Sequence, residues 1–403
     1  MDKFVISLIV LLPLSAVIQV QGTDIWYVQY LALFSAFALA TAIFLFSTNK
    51  PLSIFLGLAW YSTMFPAHQH PRAMLCLVQI IFSCLAIKVI SGFKKETAYK
   101  IFGAVLIAAL INSVYTVVQY LNLDPIFNSV KNENLDDTVG FLGSHNQLGV
   151  FMSVTSPVVM NFFPPAILLN VFAIFCSKTT SSWVAFIVGV ILFSFLNTKQ
   201  SFKDRVRPFW AISLVVLLAS VFFFGKIDKF GDSAWGERLN LYRHTIDSVL
   251  KEKIFLKIKD NVTRVKQCNM FFGYGLGSFT ALSPHAQTGF LLDPKKSSHR
   301  YEHAHNDYLE VLFEMGILGF VSVLIIVADI FIKFFRSAKT KIIIISFCSL
   351  LIHMINSLGI YAVQTAPSGM LLIVFLGVFY GEIIRQKKEG VYASKIQGIA
   401  TLA

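Results

Sequence analysis

The sequence predicts an all-α polytopic membrane protein, with about twelve transmembrane helices and one large, partly helical loop on the outer side. Three observations carry that prediction. Of 403 residues, 56% are hydrophobic, and the mean hydropathy is +0.67. Only 14% are charged, where a soluble domain carries about 25%. The apolar residues come in long runs, and a helix that crosses a bilayer needs ~20 of them in succession.

Taken in order, the apolar windows lie near 4–20, 28–47, 51–67, 74–93, 101–121, 141–160, 166–177, 181–196, 209–225, 306–332, 341–361 and 369–385. Lys3 before the first run gives it the look of a signal peptide. No small-residue cleavage site follows and a second run comes at once, so it reads as an uncleaved first helix. The seventh run is the shortest, behind Pro164 and Pro165.

Basic residues mark cytoplasmic connections. With the N-terminus inside, those connections hold Lys50, then Lys94, Lys95 and Lys100, then Lys199, Lys203, Arg205 and Arg207, then Lys333, Arg336, Lys339 and Lys341. The short outer connections hold only Arg72, Lys131 and Lys178. Dropping the seventh span would put Arg205, Arg207 and the basic C-terminal tail outside, so it is kept. The chain then divides into residues 1–225 with nine spans, 226–305 as the large outer loop, and 306–403 with three spans and a cytoplasmic tail. The formal net charge of +12 is absorbed by this sidedness and by membrane lipids, and no nucleic-acid partner is expected. Five cysteines show neither metal nor disulfide spacing.

A loop of some eighty residues is too long for a simple connection. It carries thirteen Lys/Arg against eight Asp/Glu, which suits an anionic substrate. Residues 237–250 read as a helix, with Leu239, Tyr242, Ile246, Val249 and Leu250 on one apolar stripe and Arg238 and Arg243 off it. Phe272-Gly-Tyr-Gly-Leu-Gly-Ser-Phe279 lacks the strand and crossover of a dinucleotide motif and reads as a tight turn. The loop ends in Tyr301-Glu-His-Ala-His-Asn-Asp-Tyr-Leu-Glu310, directly before an apolar span. Ionisable residues at a helix entrance make a candidate site. The helix end would add partial positive charge and free N–H groups for pyrophosphate. The plainer alternative is that Asn306 or Asp307 only caps the helix.

At this segment the chain resembles the bacterial O-antigen ligase and polymerase superfamily. Its pattern is His, then Asn, Ser or Gln, nine residues, Gly, two residues, then Gly, Thr or Tyr. Here His305-Asn306 is followed by nine residues and then Gly316-Ile-Leu-Gly319. Gly143-Ser-His-Asn-Gln-Leu-Gly149, the helix from Arg238 and the glycine-rich turn resemble further family segments in the same order, over about residues 140–335. One departure stands out. Ser177-Lys-Thr-Thr-Ser-Ser-Trp183 keeps the family's Trp but lacks its Arg, leaving Lys178 to supply charge without a bidentate fork.

The resemblance implies metal-independent transfer of a glycan from an undecaprenyl-pyrophosphate carrier to an acceptor hydroxyl on the periplasmic side of the inner membrane, with no cofactor. The acceptor would be lipid A–core for a ligase or a second carrier-linked glycan for a polymerase. It implies His305 as the acceptor-side base or hydrogen-bond director, Asn306 orienting it or capping the helix, and Arg238 and Arg243 holding pyrophosphate, with Lys178 as a further cation. His303 is a secondary candidate, and His145 is expected to be structural. A protein O-oligosaccharyltransferase and a transporter are the remaining readings; the latter would use His353 and Asn356.

Overall fold

The structure is a computed structural model. It describes residues 71–124, 138–197, 232–251, 253–258, 262–280, 282, 303–363 and 365–390, with six more between 51 and 59. The expected spans near 4–20, 28–47 and 209–225 lie outside the described residues, and that near 51–67 does so largely. The helices are α1 (Pro71–Ser91), α2 (Lys95–Tyr120), α3 (His145–Phe162), α4 (Ile167–Cys176), α5 (Thr180–Asn197), α6 (Asp232–Leu250), α7 (Asp307–Arg336), α8 (Lys341–Asn356) and α9 (Ala366–Lys388). Among the described residues, α2, α5, α7 and α9 are long and apolar enough to cross a membrane. The others are shorter or less apolar than that.

Helix α3 is the centre of the bundle, buried from Leu148 to Val159 among α2, α4, α5, α8 and α9. Small residues let its neighbours approach. A Cβ on Gly149 would lie 2.7 Å from Ser177 Oγ and 2.9 Å from Ser182 Oγ. Polar side chains cross-link the same helices, as is usual where apolar surface alone gives no preference. Asn356 Nδ2 donates to Ser153 Oγ at 3.0 Å, and Ser182 Oγ donates to Asn356 Oδ1 at 3.0 Å. His353 Nε2 meets the Ser368 carbonyl at 2.9 Å. These bonds occupy His353 and Asn356 within the bundle.

The seventh span has ten helical residues, a rise of ~15 Å against a ~30 Å hydrocarbon core. With the 3-10 turn Pro164–Ala166 before it, it nonetheless carries the chain back along α3. The chain leaves α3 at Phe162, whose ring meets Tyr99 at the start of α2, and comes back to Thr179, whose hydroxyl reaches the His145 carbonyl at 3.4 Å. The chain thus reverses direction in this stretch, from the end of α3 back to its start.

The two ends of the bundle differ in kind. At one, Arg385 donates to the Phe93 carbonyl at 2.6 Å, Ala338 N to Gln386 Oε1 at 2.9 Å, and Thr340 Oγ1 to Glu382 Oε1 at 2.9 Å. This gathers the basic connections around Lys94, Lys339 and Lys387 at one end. The connection 357–363, the starts of α3 and α5, and the end of the large loop share the other.

The loop departs from expectation twice. Lys253–Ile258 (β1) and Val262–Gln267 (β2) form an antiparallel hairpin, a minor β element in a helical class. Helix α6 forms as expected, but Leu239, Ile246 and Leu250 are exposed, while Leu241, Thr245, Ser248 and Val249 are buried. Thr245 and Ser248 can be buried cheaply because their hydroxyls donate to Leu241 O and His244 O, both at 2.8 Å.

The tenth span is broken. Gly316 has φ 66°, ψ −166° inside α7, a region essentially reserved for glycine. The glycine-rich turn fills the break. Tyr274 N and Gly275 N donate to Phe313 O and Glu314 O at 2.9 Å each, and Ile317 N and Leu318 N donate to Met270 O and Phe271 O at 2.9 and 3.1 Å. A Cβ on Gly273 would sit 2.5 Å from Phe313 O, and one on Gly316 would sit 2.4 Å from Phe271 C. Non-helical backbone at such a place is tolerated when protein supplies its partners.

Candidate functional site

The entrance of α7 is assembled from three parts of the chain. Asn306 is the N-cap. Its Oδ1 accepts from Tyr308 N and Leu309 N at 3.1 Å each, and its Nδ2 donates to Leu358 O at 3.1 Å. Asp307 N donates to Ser357 O at 2.9 Å, and Asp307 Oδ2 accepts from Val363 N at 3.0 Å. The connection 357–363 is thereby stitched to the start of α7.

This corrects one expectation. The N–H groups of Asp307, Tyr308 and Leu309 are already engaged, so the helix end does not offer them to pyrophosphate. Its partial positive charge remains, but direct anion contacts fall to side chains. Asn306 is committed through both its amide atoms, which favours the capping alternative over orientation of His305.

His305 has φ 51°, left-handed and uncommon for a residue with a Cβ. Tyr242 from α6 donates to the His305 carbonyl at 3.1 Å. The ring of Tyr361, from the 357–363 connection, stacks on His303 at 4.3 Å and meets the His305 ring at 5.3 Å and 67°. His303 Nδ1 lies 3.1 Å from Glu310 Oε1, and Ala304 N donates to Glu310 Oε2 at 3.2 Å.

Arg238 opens the described side chains of α6 and is half-buried. Its cation acts on both His305 and Tyr242. Burial, then Arg238, then His303 hold the His305 imidazole down to about 4, so it is neutral at neutral pH. Burial pushes the Tyr242 phenol up, with Arg238 opposing. Arg243, in contrast, is exposed and lies near Asp247, whose carboxyl is held low chiefly by its hydrogen bond to Lys251. The charge of Arg238 is thus felt at His305, while Arg243 is turned to the surface.

Lys178 is exposed, at φ 52°, where α5 begins. His145 begins α3 beside it, linked through Thr179. Both stand at the same end as His305, joined to it through the close approach of Gly359 to Ser181. Tyr361 and Glu310 are site residues that sequence reasoning missed. Tyr361 lies beyond the next span and carries no local mark. Glu310 did carry one: Asp307, Glu310 and Glu314 repeat at helical spacing in an apolar helix. All three are buried. Among the described residues no cluster of His, Cys, Asp and Glu is arranged to hold a metal ion.

The arrangement offers a neutral imidazole able to accept a proton, and a half-buried guanidinium able to hold paired oxygens. No protein-family model and no curated protein matches the chain.

Proposed function

We propose that the chain is an inner-membrane glycosyltransferase, transferring a glycan from undecaprenyl pyrophosphate to an acceptor hydroxyl, with lipid A–core as the acceptor. The observation that carries this reading is the buried His305, gripped at its carbonyl by Tyr242 and edged by Tyr361, held neutral first by burial and then by the charge of Arg238, at the end of the bundle opposite its basic connections. On the positive-inside rule the basic end is cytoplasmic, and the site then faces the periplasm.

In the reaction, the acceptor oxygen forms a bond to the anomeric carbon of the carrier-linked sugar while the bond to the pyrophosphate oxygen breaks. His305 takes the acceptor proton. Arg238 holds the departing pyrophosphate as its charge grows. Arg243, being exposed, is assigned at most to capture of the carrier at the surface. His145 and Lys178 shape the same rim.

The test is transfer by the purified chain with two acceptors, lipid A–core and a second carrier-linked glycan. Transfer to lipid A–core supports ligation, and transfer to the second glycan alone makes the chain a polymerase. His305→Ala should cost about 100-fold or more in kcat with the protein still folded. Full activity in that variant would refute the assignment. Arg238→Ala should weaken carrier binding more than Arg238→Lys, and binding unaffected in both would remove Arg238 from the site.

A further inference from the structure

We infer that Glu310 is a positioning residue for the transfer step, setting the tautomer of His303 and the backbone path from which His305 works. The inference rests on the glycan-transfer reading. Glu310 lies in the first turn of α7, and its side chain is 2% exposed. A carboxylate buried there is costly unless hydrogen-bonded, and its two oxygens are used separately. Oε1 faces His303 Nδ1 at 3.1 Å, and Oε2 accepts from Ala304 N at 3.2 Å.

A carboxylate can only accept. His303 Nδ1 therefore carries the proton, and the basic nitrogen of its ring is Nε2. The same ring is stacked on Tyr361, which His305 meets edge-on. Three consecutive residues before α7 are thus fixed: the side chain of His303 and the amide of Ala304 by Glu310, and the carbonyl of His305 by Tyr242. A left-handed His305 persists when its surroundings over-determine it, and these bonds supply that constraint.

The neighbouring carboxylates do other work. Glu314 Oε1 accepts from Phe279 N at 3.1 Å, in the glycine-rich turn. Asp307 holds Val363. Among the described residues Glu310 is the acidic side chain that grips the histidine segment.

Glu310→Gln separates the two halves of the grip. Its amide oxygen still accepts from Ala304 N, but its NH2 faces His303 and drives the proton to Nε2. The full chain, labelled with 15N-histidine in detergent micelles, reports the tautomer by NMR, and a transfer assay reports kcat and KM. Expected are the Nε2–H form of His303, a fall in kcat of about tenfold or more, and a carrier KM within about threefold of wild type. Glu310→Ala, which loses both contacts, should also lower the melting temperature, whereas Glu310→Gln should not. Wild-type kcat in Glu310→Gln, or an unchanged His303 tautomer, would overturn the inference. A wild-type chain that transfers no glycan to any acceptor would refute the function instead, and the tautomer readings would still decide the grip.

Discussion

Lowering the pH should separate the two protonation states of His305, and the separation can be sized. The imidazole is held at about 4 instead of 6.5, first by burial and then by Arg238 and His303. That gap corresponds to roughly 3 kcal/mol between the charged and neutral forms. Its sign follows from which state binds the proton first. The unfolded chain protonates this histidine near 6.5, and the folded chain only near 4. Stability is therefore unaffected by this group above about 6.5, is lost progressively as pH falls below it, and reaches its full loss below about 4. For catalysis the same shift keeps the base neutral across the physiological range. The acid limb of kcat/KM, which reports the free enzyme, should lie near 4. Arg238→Ala removes only the second cause, so the limb should rise by less than about one pH unit and stay below 6.5. Under saturating carrier the bound pyrophosphate offsets the Arg238 charge, and the limb in kcat should lie above that in kcat/KM. The assay is initial transfer rate between about pH 4 and 8, with circular dichroism at each pH to confirm folding. An acid limb near 6.5 in the wild type, or a downward movement in Arg238→Ala, would refute the reasoning.

Other outcomes follow from single contacts. Gly316→Ala forces a Cβ to 2.4 Å from backbone at φ 66°, and strain of about 1–3 kcal/mol with loss of bonds to the turn should lower the melting temperature by roughly 2–5 °C; a wild-type melt would show that the turn does not seat there. Asn306→Ala should cost about 1 kcal/mol through the lost cap, while Asn306→Asp keeps the acceptor and should retain most stability; equal melting of the two would remove the capping role. Arg243→Ala should leave kcat within about twofold of wild type, because an exposed side chain beside Asp247 adds little to a buried reaction; a loss as large as that of Arg238→Ala would return it to the site.

Span positions were legible because a 3.6-residue helix crossing ~30 Å imposes a run length that composition reveals directly. The ends of α3 and α5 fall within about a turn of the apolar windows, and those of α2 and α8 within about two. Helix α6 was legible, but its buried face only in part: of the expected stripe Val249 is buried and Tyr242 half-buried, while Leu239, Ile246 and Leu250 are exposed. Burial there is decided by Tyr274, Phe279 and Phe313, which pack with Leu241 and Val249, and those partners are not sequence neighbours. His305 was singled out from its place before an apolar helix and from a family pattern. Its partner Tyr361 arrives from beyond α8, and no linear spacing marks such a pairing. The left-handed backbone of His305 was equally hidden, since nothing in a histidine announces a positive φ. The hairpin β1–β2 escaped because Lys253-Ile-Phe-Leu-Lys-Ile258 and Val262-Thr-Arg-Val-Lys-Gln267 do not alternate apolar and polar residues.

The interlock at Gly316 has a consequence for anyone recombining this protein. Segments 269–279 and 313–318 exchange backbone hydrogen bonds across the break, so the loop and the membrane helix are two halves of one joint. A chimera cut at the loop–helix boundary would pair a foreign turn with a native gap, whatever the quality of each half. Crossovers placed before residue 269 and after residue 319 would move the joint whole, and they should give folded hybrids where cuts between those positions do not.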